Sequence, residues 1–327
     1  MNKQLALALC CVMLASCSRR KNLVEIRDMM STRVEIKVVC GGGFNMEPAW
    51  NEIGRLEKLL SPYSPGSDLS EISRLAGESA VRVSSETAAV MRKAMEISRI
   101  TCGIYDPTVF PLVKLWDVNS ANPSVPAKED ILKALEFVDY RQVKLDGTNV
   151  FLQKKGMRLD LSNMAKGHIA DKAAKSLMDT GAYSVLVNAG GDIRAAGGKT
   201  WKVGIQHPRK KDGVLAVIKV RNCAVSTSGD YERYFVKGGK RYHHIFDVRT
   251  GYPAANSIGA TVVAPQCALS NALALSAFIL GPEKGMELVK KFPGSEAIII
   301  DNQGNVFVSE GLKKEVKIRK IDVDLIQ

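Results

Sequence analysis

The pattern of apolar and polar positions along the chain predicts a mixture of helices and strands. Alternation over residues 33–39 predicts a strand, and three glycines at 41–43 lead from it into a helix over 46–60. A second helix is predicted over 86–101, because apolar residues recur there on a single stripe. Four more helices are predicted, over 129–137, 165–180, 270–279 and 282–291.

Short strands are predicted in groups between these helices. Turn residues at 146–148 and 302–304 each separate two short apolar runs, which indicates two hairpins, 143–145 with 149–152 and 297–301 with 306–309. Grouped strands favour an α+β fold with mixed, mostly antiparallel sheets and flanking helices. Neither an internal repeat nor the glycine-rich fingerprint of a dinucleotide fold is visible in the sequence. The remaining strands are predicted at 184–187, 201–206, 214–221, 242–247 and 260–263.

The first residues have the features of an export signal with a lipidation site. A basic head at Lys3 precedes an apolar run over 5–15, which is shorter than the roughly 20 residues that span a bilayer. Small residues then precede Cys17, whose thiol is suited to acylation. The alternative is an ordinary signal peptide with an incidental cysteine. We therefore predict a signal peptide over 1–16, a lipidated Cys17, a polar tether over 17–27 and one domain over 28–327, on a membrane-anchored lipoprotein facing the periplasm.

Composition is that of a globular domain, with 46% hydrophobic and 24% charged residues. The net charge of +12 fits nucleic acid, anionic lipid or phosphate-bearing ligands, but export argues against nucleic acid and the basic residues are dispersed. The cysteines beyond residue 17 lack the spacing of a zinc site, and free buried thiols are favoured for them. They are Cys40, Cys102, Cys223 and Cys267.

Five segments that are rich in small and polar residues are candidates for a functional site. The segment 159–171 passes from a strand end into a helix, whose amino end could hold a phosphate beside Lys166. The alternative is simple capping by Ser162 or Asn163, with Lys166 in solvent. The other segments can each be read as an ordinary turn: 103–108, with Asp106 as a cap, then 188–194, 226–231 and 243–251. Of the adjacent His243 and His244, at most one can serve a given site, because neighbouring strand residues point to opposite faces.

Taken together, these segments resemble the FAD:protein FMN transferases, also called ApbE-type flavin transferases. The resemblance covers nearly all of the chain after the signal, and it is carried by ordered matches at 30–32, 60–64, 105–108, 160–171, 190–192, 226–231 and 244–251. It implies an ApbE-like fold with T-fold-like halves. It also implies an enzyme that uses FAD and Mg²⁺ to move FMN onto a Thr or Ser hydroxyl. The implied acceptor is an exported redox protein, such as subunits of the Rnf or sodium-pumping NADH:quinone reductase type.

The resemblance also implies roles for individual residues. His244 and Lys166 would be catalytic, Met30 and Tyr63 would contact the flavin or adenine rings, and Ala165 and Asn271 would lie at the metal. The implied FAD-binding residues are Met30, Tyr63, Asp106, Thr108, Ser162, Asn163, Lys166, Gly190, Gly191, Asp192, Ser228, Gly229 and His244.

The sequence departs from the family pattern at the metal position. The family has Asp where this chain has Asn271, and Thr where it has Leu275. Ser31 and Val248 replace a usual Gly and Pro, which are milder changes. Because Mg²⁺ prefers carboxylate oxygens, the loss of the Asp and Thr ligands should weaken the metal site. Two alternatives to transfer are therefore a FAD-binding lipoprotein with little activity and a FAD pyrophosphatase.

Overall fold

The computed structural model describes residues 20–210 and 212–313. The strands are β1 (Lys21–Met29), β2 (Thr32–Cys40), β3 (Val81–Arg82), β4 (Val143–Asp146), β5 (Asn149–Leu152), β6 (Ser184–Ala189), β7 (Asp192–Gly197), β8 (Trp201–Gln206), β9 (Val214–Val220), β10 (Ala224–Gly229), β11 (Tyr234–Lys237), β12 (Lys240–His243), β13 (Phe246–Asp247), β14 (Tyr252–Pro253), β15 (Ser257–Ala264), β16 (Glu296–Asp301) and β17 (Val306–Val308). The helices are α1 (Glu47–Leu60), α2 (Asp68–Arg74), α3 (Ser85–Ile100), α4 (Phe110–Trp116), α5 (Lys128–Leu135), α6 (Ser162–Asp179), α7 (Cys267–Leu280), α8 (Pro282–Lys290) and α9 (Glu310–Lys313).

An eight-stranded sheet forms the centre of the fold, in the order β1-β2-β6-β7-β10-β15-β16-β17. Every neighbouring pair in it is antiparallel. Alternate residues of each strand point to opposite faces, so the sheet builds a core on both sides. The predicted α+β class with mostly antiparallel sheets is confirmed.

Helices cover one face of the sheet, and a hairpin covers the other. Helices α1, α6, α7 and α8 pack on the face that includes Ile36, Val187 and Val262, all fully buried. The β8–β9 hairpin closes the opposite face over Leu186 and Ile298. Helix α7 is buried on nearly all sides, which accounts for an apolar composition without a polar stripe.

Two tight turns meet at one end of this sheet. The β1–β2 turn is Met30-Ser31, and the β6–β7 turn is Gly190-Gly191. Since β2 pairs with β6 and Val34 lies opposite Ala189, the two turns lie side by side. The carboxyl end of β10 reaches the same end of the sheet, because β10 runs antiparallel to β7. The topology therefore gathers three of the candidate segments at one place.

The structure corrects the predicted domain boundary. Residues 21–27, assigned to a tether from sequence, belong to β1 and pair with β2 along its whole length. Strand β1 is an edge strand whose side chains are at most half-buried, so its apolar signal is weak. The signal peptide and Cys17 lie outside the described residues, and their assignment stays a prediction.

Several other predicted elements differ from those observed. Segment 226–231, read as a turn, is mostly part of β10, and the strand predicted at 242–247 is divided into β12 and β13. Cys40 and Cys267 are buried free thiols as expected, whereas Cys102 is exposed. Within the described ranges, no helix combines the length and the apolar composition needed to cross a membrane.

Candidate functional site

A cavity of about 530 Å³ opens where the sheet turns meet the amino end of α6 and the middle of α7. Fourteen of the fifteen residues predicted to bind FAD or metal line it, which brings together segments up to about 240 positions apart in sequence. They are Met30, Tyr63, Asp106, Ser162, Asn163, Ala165, Lys166, Gly190, Gly191, Asp192, Ser228, Gly229, His244 and Asn271.

Thr108 is the predicted binding residue that the structure does not place on the cavity wall. Its side chain is fully buried, and its hydroxyl donates to the Asp106 carboxylate over 2.6 Å. The same hydroxyl oxygen accepts from the backbone N–H of Asp139. Asp106 also accepts from the Tyr140 N–H, and burial raises the pKa of its carboxyl even though these hydrogen bonds favour the charged form. The pair therefore joins two loops behind the cavity, where Thr108 contacts Asp106 and does not reach the cavity wall. Its predicted ligand role stays a prediction.

Glycine is required at the β6–β7 turn, which forms one wall. Gly190 and Gly191 have φ angles of 64° and 95°, as a two-residue hairpin turn of this kind demands. A Cβ on Gly190 would lie 2.4 Å from the hydroxyl of Thr32, so the Thr32 side chain packs directly against the backbone of this turn. Both glycines line the cavity, and the Gly191 N–H donates to the side-chain oxygen of Asn188.

The neighbouring β1–β2 turn makes the same geometry without glycine. Met30 and Ser31 both have φ of 54°, a conformation that costs an ordinary residue about 1 kcal/mol or more. The Met30 N–H donates to the Glu57 carboxylate of α1 over 2.7 Å. Glu57 also lines the cavity, and sequence reasoning missed it because only the fold brings α1 to this turn. A strained backbone conformation that is held by a specific hydrogen-bond partner is typical of a functional position.

The amino end of α6 forms the floor of the cavity. Leu161 precedes the helix and gives no side-chain cap, while the Ser162 N–H donates to the Asp160 carboxylate over 2.7 Å. Asp160 is itself held by a bond from its backbone N–H to the carbonyl of Pro107. Ser162 and Asn163 thus form a first turn that is kinked at Asn163, with φ of −80° and ψ of 16°, and the regular helix begins close to the predicted residue 165. The positive end of the helix dipole favours an anion here.

A buried carboxylate, an amide and a lysine meet beside this floor. Asp192 at the start of β7 is 3% exposed, and its Oδ1 accepts from the Nδ2 of Asn271 on α7. Its Oδ2 lies 3.6 Å from the ammonium group of Lys166 on α6. Each carboxylate oxygen of Asp192 therefore has a partner from a different helix.

His244 lies between β12 and β13 and faces the cavity, whereas His243 points away from it. The Nε2 of His243 hydrogen-bonds to the Ala254 carbonyl over 2.8 Å, within the core. The Nδ1 of His244 lies 3.2 Å from the Arg233 carbonyl, which can only accept, so Nδ1 carries the proton. Burial lowers the pKa of His244 to about 3, with help from neighbouring His243 and Lys166. His244 is therefore neutral near pH 7, and its Nε2 is left as the basic nitrogen.

An aromatic wall forms the outer part of the cavity. Tyr63 is 67% exposed, and its ring centroid lies 5.4 Å from that of Phe110. The guanidinium of Arg158 lies 4.2 Å from the centroid of Phe110. Phe110 was missed because α4 is a single short helix with little periodicity. Such a wall suits a flat aromatic ring.

The predicted metal position does not fit magnesium. Ala165 offers a backbone carbonyl and Asn271 one amide oxygen, but Leu275, one turn further along α7, has no donor atom. The Oδ1 of Asn271 is buried without a hydrogen-bond partner among the described residues. In the same part of the chain, no three His, Cys, Asp or Glu side chains are grouped to hold a metal ion. Mg²⁺ is held in proteins mainly through carboxylates, and the carboxylate beside Asn271, that of Asp192, is already paired with the Asn271 amide and with Lys166.

Comparisons with known proteins match nearly the whole of this fold. The ApbE family model matches residues 30–299. A FAD:protein FMN transferase of Treponema pallidum is 34% identical over 294 residues, which cover 84% of this chain and 81% of that relative. The crystal structure of an ApbE protein from Thermotoga maritima has a TM-score of 0.82 at 31% identity, covering 90% of this chain and 99% of that one. The flavin transferase ApbE from Vibrio cholerae has a TM-score of 0.80 at 26% identity, covering 91% and 100%.

Proposed function

The chain belongs to the ApbE family, and on that premise we propose that it is a FAD:protein FMN transferase. It moves FMN from FAD to a Thr or Ser hydroxyl of another protein and releases AMP. The observation that carries this proposal is the position of His244, which holds its proton on Nδ1 and lies on the wall of the cavity that contains Lys166 and the amino end of α6. A base, a cation and the positive end of a helix dipole favour phosphoryl transfer from a pyrophosphate.

The chemistry requires one bond to form and one to break. The acceptor hydroxyl loses its proton to the Nε2 of His244, and its oxygen bonds to the phosphorus of the FMN half. The bond from that phosphorus to the bridging oxygen breaks, so AMP leaves with the bridging oxygen. Lys166 is placed to balance the charge on the phosphates, and the proton on His244 passes to AMP or to water.

Transfer, rather than FAD storage or FAD hydrolysis, is the function that the relatives' names support. In transfer the acceptor hydroxyl takes the place that water would take in hydrolysis. Tyr63 lines the cavity and is exposed, so an acceptor segment would approach on its side. The acceptor class we propose is an exported redox protein, of the Rnf or sodium-pumping NADH:quinone reductase kind.

A direct assay tests the function. The purified protein is incubated with FAD and a Thr-containing acceptor domain, and the products are read as in-gel flavin fluorescence and free AMP. The variant His244→Ala should lose about 10²-fold or more in transfer rate while still binding FAD, because the other residues that line the cavity remain. His168→Gln is the matched control, since His168 does not line the cavity. Equal transfer by His244→Ala and the native protein would contradict the role of His244.

We also propose that Cys17 is lipidated and anchors the protein on a periplasmic membrane face. The fold makes the tether shorter than the sequence predicts, because the guanidinium of Arg20 lies 3.3 Å from the ring centroid of Tyr183 and β1 begins at Lys21. Mass spectrometry of the amino-terminal peptide and release of a Cys17→Ala variant from membranes test this. An unmodified Cys17 in the membrane fraction would contradict it.

A further inference from the structure

The buried cluster of Asp192, Asn271 and Lys166 is electrically complete without a metal ion. Asp192 contributes one negative charge, Lys166 contributes one positive charge and Asn271 contributes none. Both oxygens of the Asp192 carboxylate are partnered, by the Asn271 amide and by the Lys166 ammonium group at 3.6 Å. Asp192 is 3% exposed and Asn271 8% exposed, so water screens this arrangement little.

The orientation of the Asn271 amide is fixed by its neighbour. An ionised carboxylate can only accept hydrogen bonds, so the NH₂ group of Asn271 must face Asp192. The amide oxygen consequently points away from Asp192, and it has no partner among the residues that the structure describes. A buried acceptor without a partner is costly, and a donor on a bound ligand would satisfy it.

From these observations we propose that the hydrogen bond from Asn271 to Asp192, together with Lys166, replaces a divalent cation in this site. The inference rests on the proposed function for the identity of the ligand, FAD. FAD binds here without Mg²⁺, its pyrophosphate faces Lys166 and the amino end of α6, and one of its hydroxyl groups donates to the Asn271 Oδ1. A carboxylate at position 271 would face Asp192 at hydrogen-bond distance, and a proton or a cation between the two would be needed to offset their repulsion.

Leu275 fits the same conclusion. It lies four residues after Asn271, on the same side of α7, and it lines the cavity with hydrocarbon. A Mg²⁺ ion keeps an octahedral shell of oxygens, and a leucine in that shell would displace a ligand without replacing it. The two positions on α7 thus both lack what a divalent cation requires.

The native protein gives the first test. The FAD dissociation constant is measured by flavin fluorescence in excess EDTA and in excess MgCl₂ at matched ionic strength. Calorimetric titration of MgCl₂ into the FAD-free protein is run alongside. We expect no heat of specific Mg²⁺ binding and a change in the FAD dissociation constant of less than about threefold, which is under 1 kcal/mol. A larger tightening by Mg²⁺, or a saturable Mg²⁺ heat, overturns the proposal.

A pair of variants gives the second test, read as melting temperature with and without MgCl₂. Asn271→Asp places two carboxylates together and should lower Tm by about 5 °C in EDTA, a loss that MgCl₂ should largely restore. The matched control is the exchange Asp192→Asn with Asn271→Asp, which keeps one carboxylate and one amide and should not respond to MgCl₂. An Asn271→Asp protein indifferent to MgCl₂, or an exchanged protein stabilised by it, contradicts the proposal.

These readouts are independent of transfer activity. If Asn271→Asp fails to fold, the Mg²⁺ titration of the native protein still decides the question. A failure of the proposed function would appear differently, as absence of AMP and of flavin transfer with the Tm responses unchanged.

Discussion

Replacing Gly167 with Ala tests the contact between the two helices that carry the site. In a helix interior Ala is favoured over Gly by about 1 kcal/mol, so propensity alone predicts that Gly167→Ala stabilises α6. The structure predicts the opposite sign. A Cβ at position 167 would lie 2.4 Å from the carbonyl oxygen of Cys267 and 2.7 Å from the N of Ala268, both backbone atoms of α7.

The size of the stability loss follows from how far α6 and α7 must move apart. Ordinary Cβ contacts begin at 3.4 Å, so α6 and α7 must separate by about 1 Å at this point. Overpacking of this kind costs roughly 1–3 kcal/mol. The separation also stretches the bonds from the N–H groups of Cys267 and Ala268 to the Asp171 carboxylate, now 2.9–3.1 Å and worth roughly 1 kcal/mol or more each. After the gain in propensity is subtracted, we expect a net loss of about 2 kcal/mol.

Urea denaturation measures this loss as a lower midpoint at an unchanged slope. Gly54→Ala in α1 is the matched control, because a Cβ there meets only the flexible end of Met29 at 3.4 Å. It should be neutral or stabilising by up to about 1 kcal/mol. If Gly167→Ala were as stable as Gly54→Ala, the close packing of α6 on α7 would be wrong.

Three further predictions concern stability. Burial lowers the pKa of His168 from 6.5 to about 4, so as the pH drops the unfolded chain is protonated first, and stability falls between pH 6.5 and pH 4. His168→Gln should flatten this dependence of stability on pH, measured by urea denaturation at successive pH values, and an unchanged dependence would contradict the prediction. Ser31→Gly relieves the strain of a φ of 54°, and part of this gain is lost because glycine adds conformational entropy to the unfolded chain. The net gain in stability should be about 0.5 kcal/mol, seen as a small rise in Tm. A fall in Tm would mean that the Ser31 side chain is needed. Asp230→Asn breaks a buried bidentate pair with Arg209, at 2.7 and 2.8 Å, and should lower the free energy of unfolding by about 3 kcal/mol. Arg249→Ala removes an exposed partner of Asp247 and should lower it by less than about 1 kcal/mol. Equal losses in urea denaturation would contradict the role of burial.

Sequence periodicity predicted the helices well where one face is apolar. Helices α1 and α3 begin and end within one residue of the predicted positions, because their buried residues recur every three or four positions. Strand β10 was read as a turn, since Ser226 and Ser228 are unusual in a central strand. The structure shows why they are tolerated: the Ser226 hydroxyl lies 2.8 Å from that of Ser270 on α7. That partner is 44 residues away and cannot be found from local pattern.

The candidate site was predicted mostly through resemblance, and its misses have a common cause. The Glu57 carboxylate accepts a hydrogen bond from a backbone N–H of a distant turn, and the Thr108 hydroxyl donates to a buried carboxylate. Both roles depend on which loops meet in space. The sequence could show that Asn271 is uncharged, but only the structure shows that its amide is turned towards Asp192.

The position of β1 changes what a lipid anchor at Cys17 would do. Strand β1 starts at Lys21 and ends at the Met30-Ser31 turn on the cavity wall, so nine strand residues of about 3.3 Å each separate the two ends by roughly 30 Å. Arg20 is stacked on Tyr183, which leaves only residues 18 and 19 between the anchor and the folded domain. A tether of that length reaches less than about 15 Å, too short for the domain to turn over freely. Under the proposed lipidation, the main sheet therefore allows the cavity to lie up to roughly 30 Å beyond the anchored end of the domain. It would then meet acceptor segments that project into the periplasm, at a concentration raised by the shared membrane.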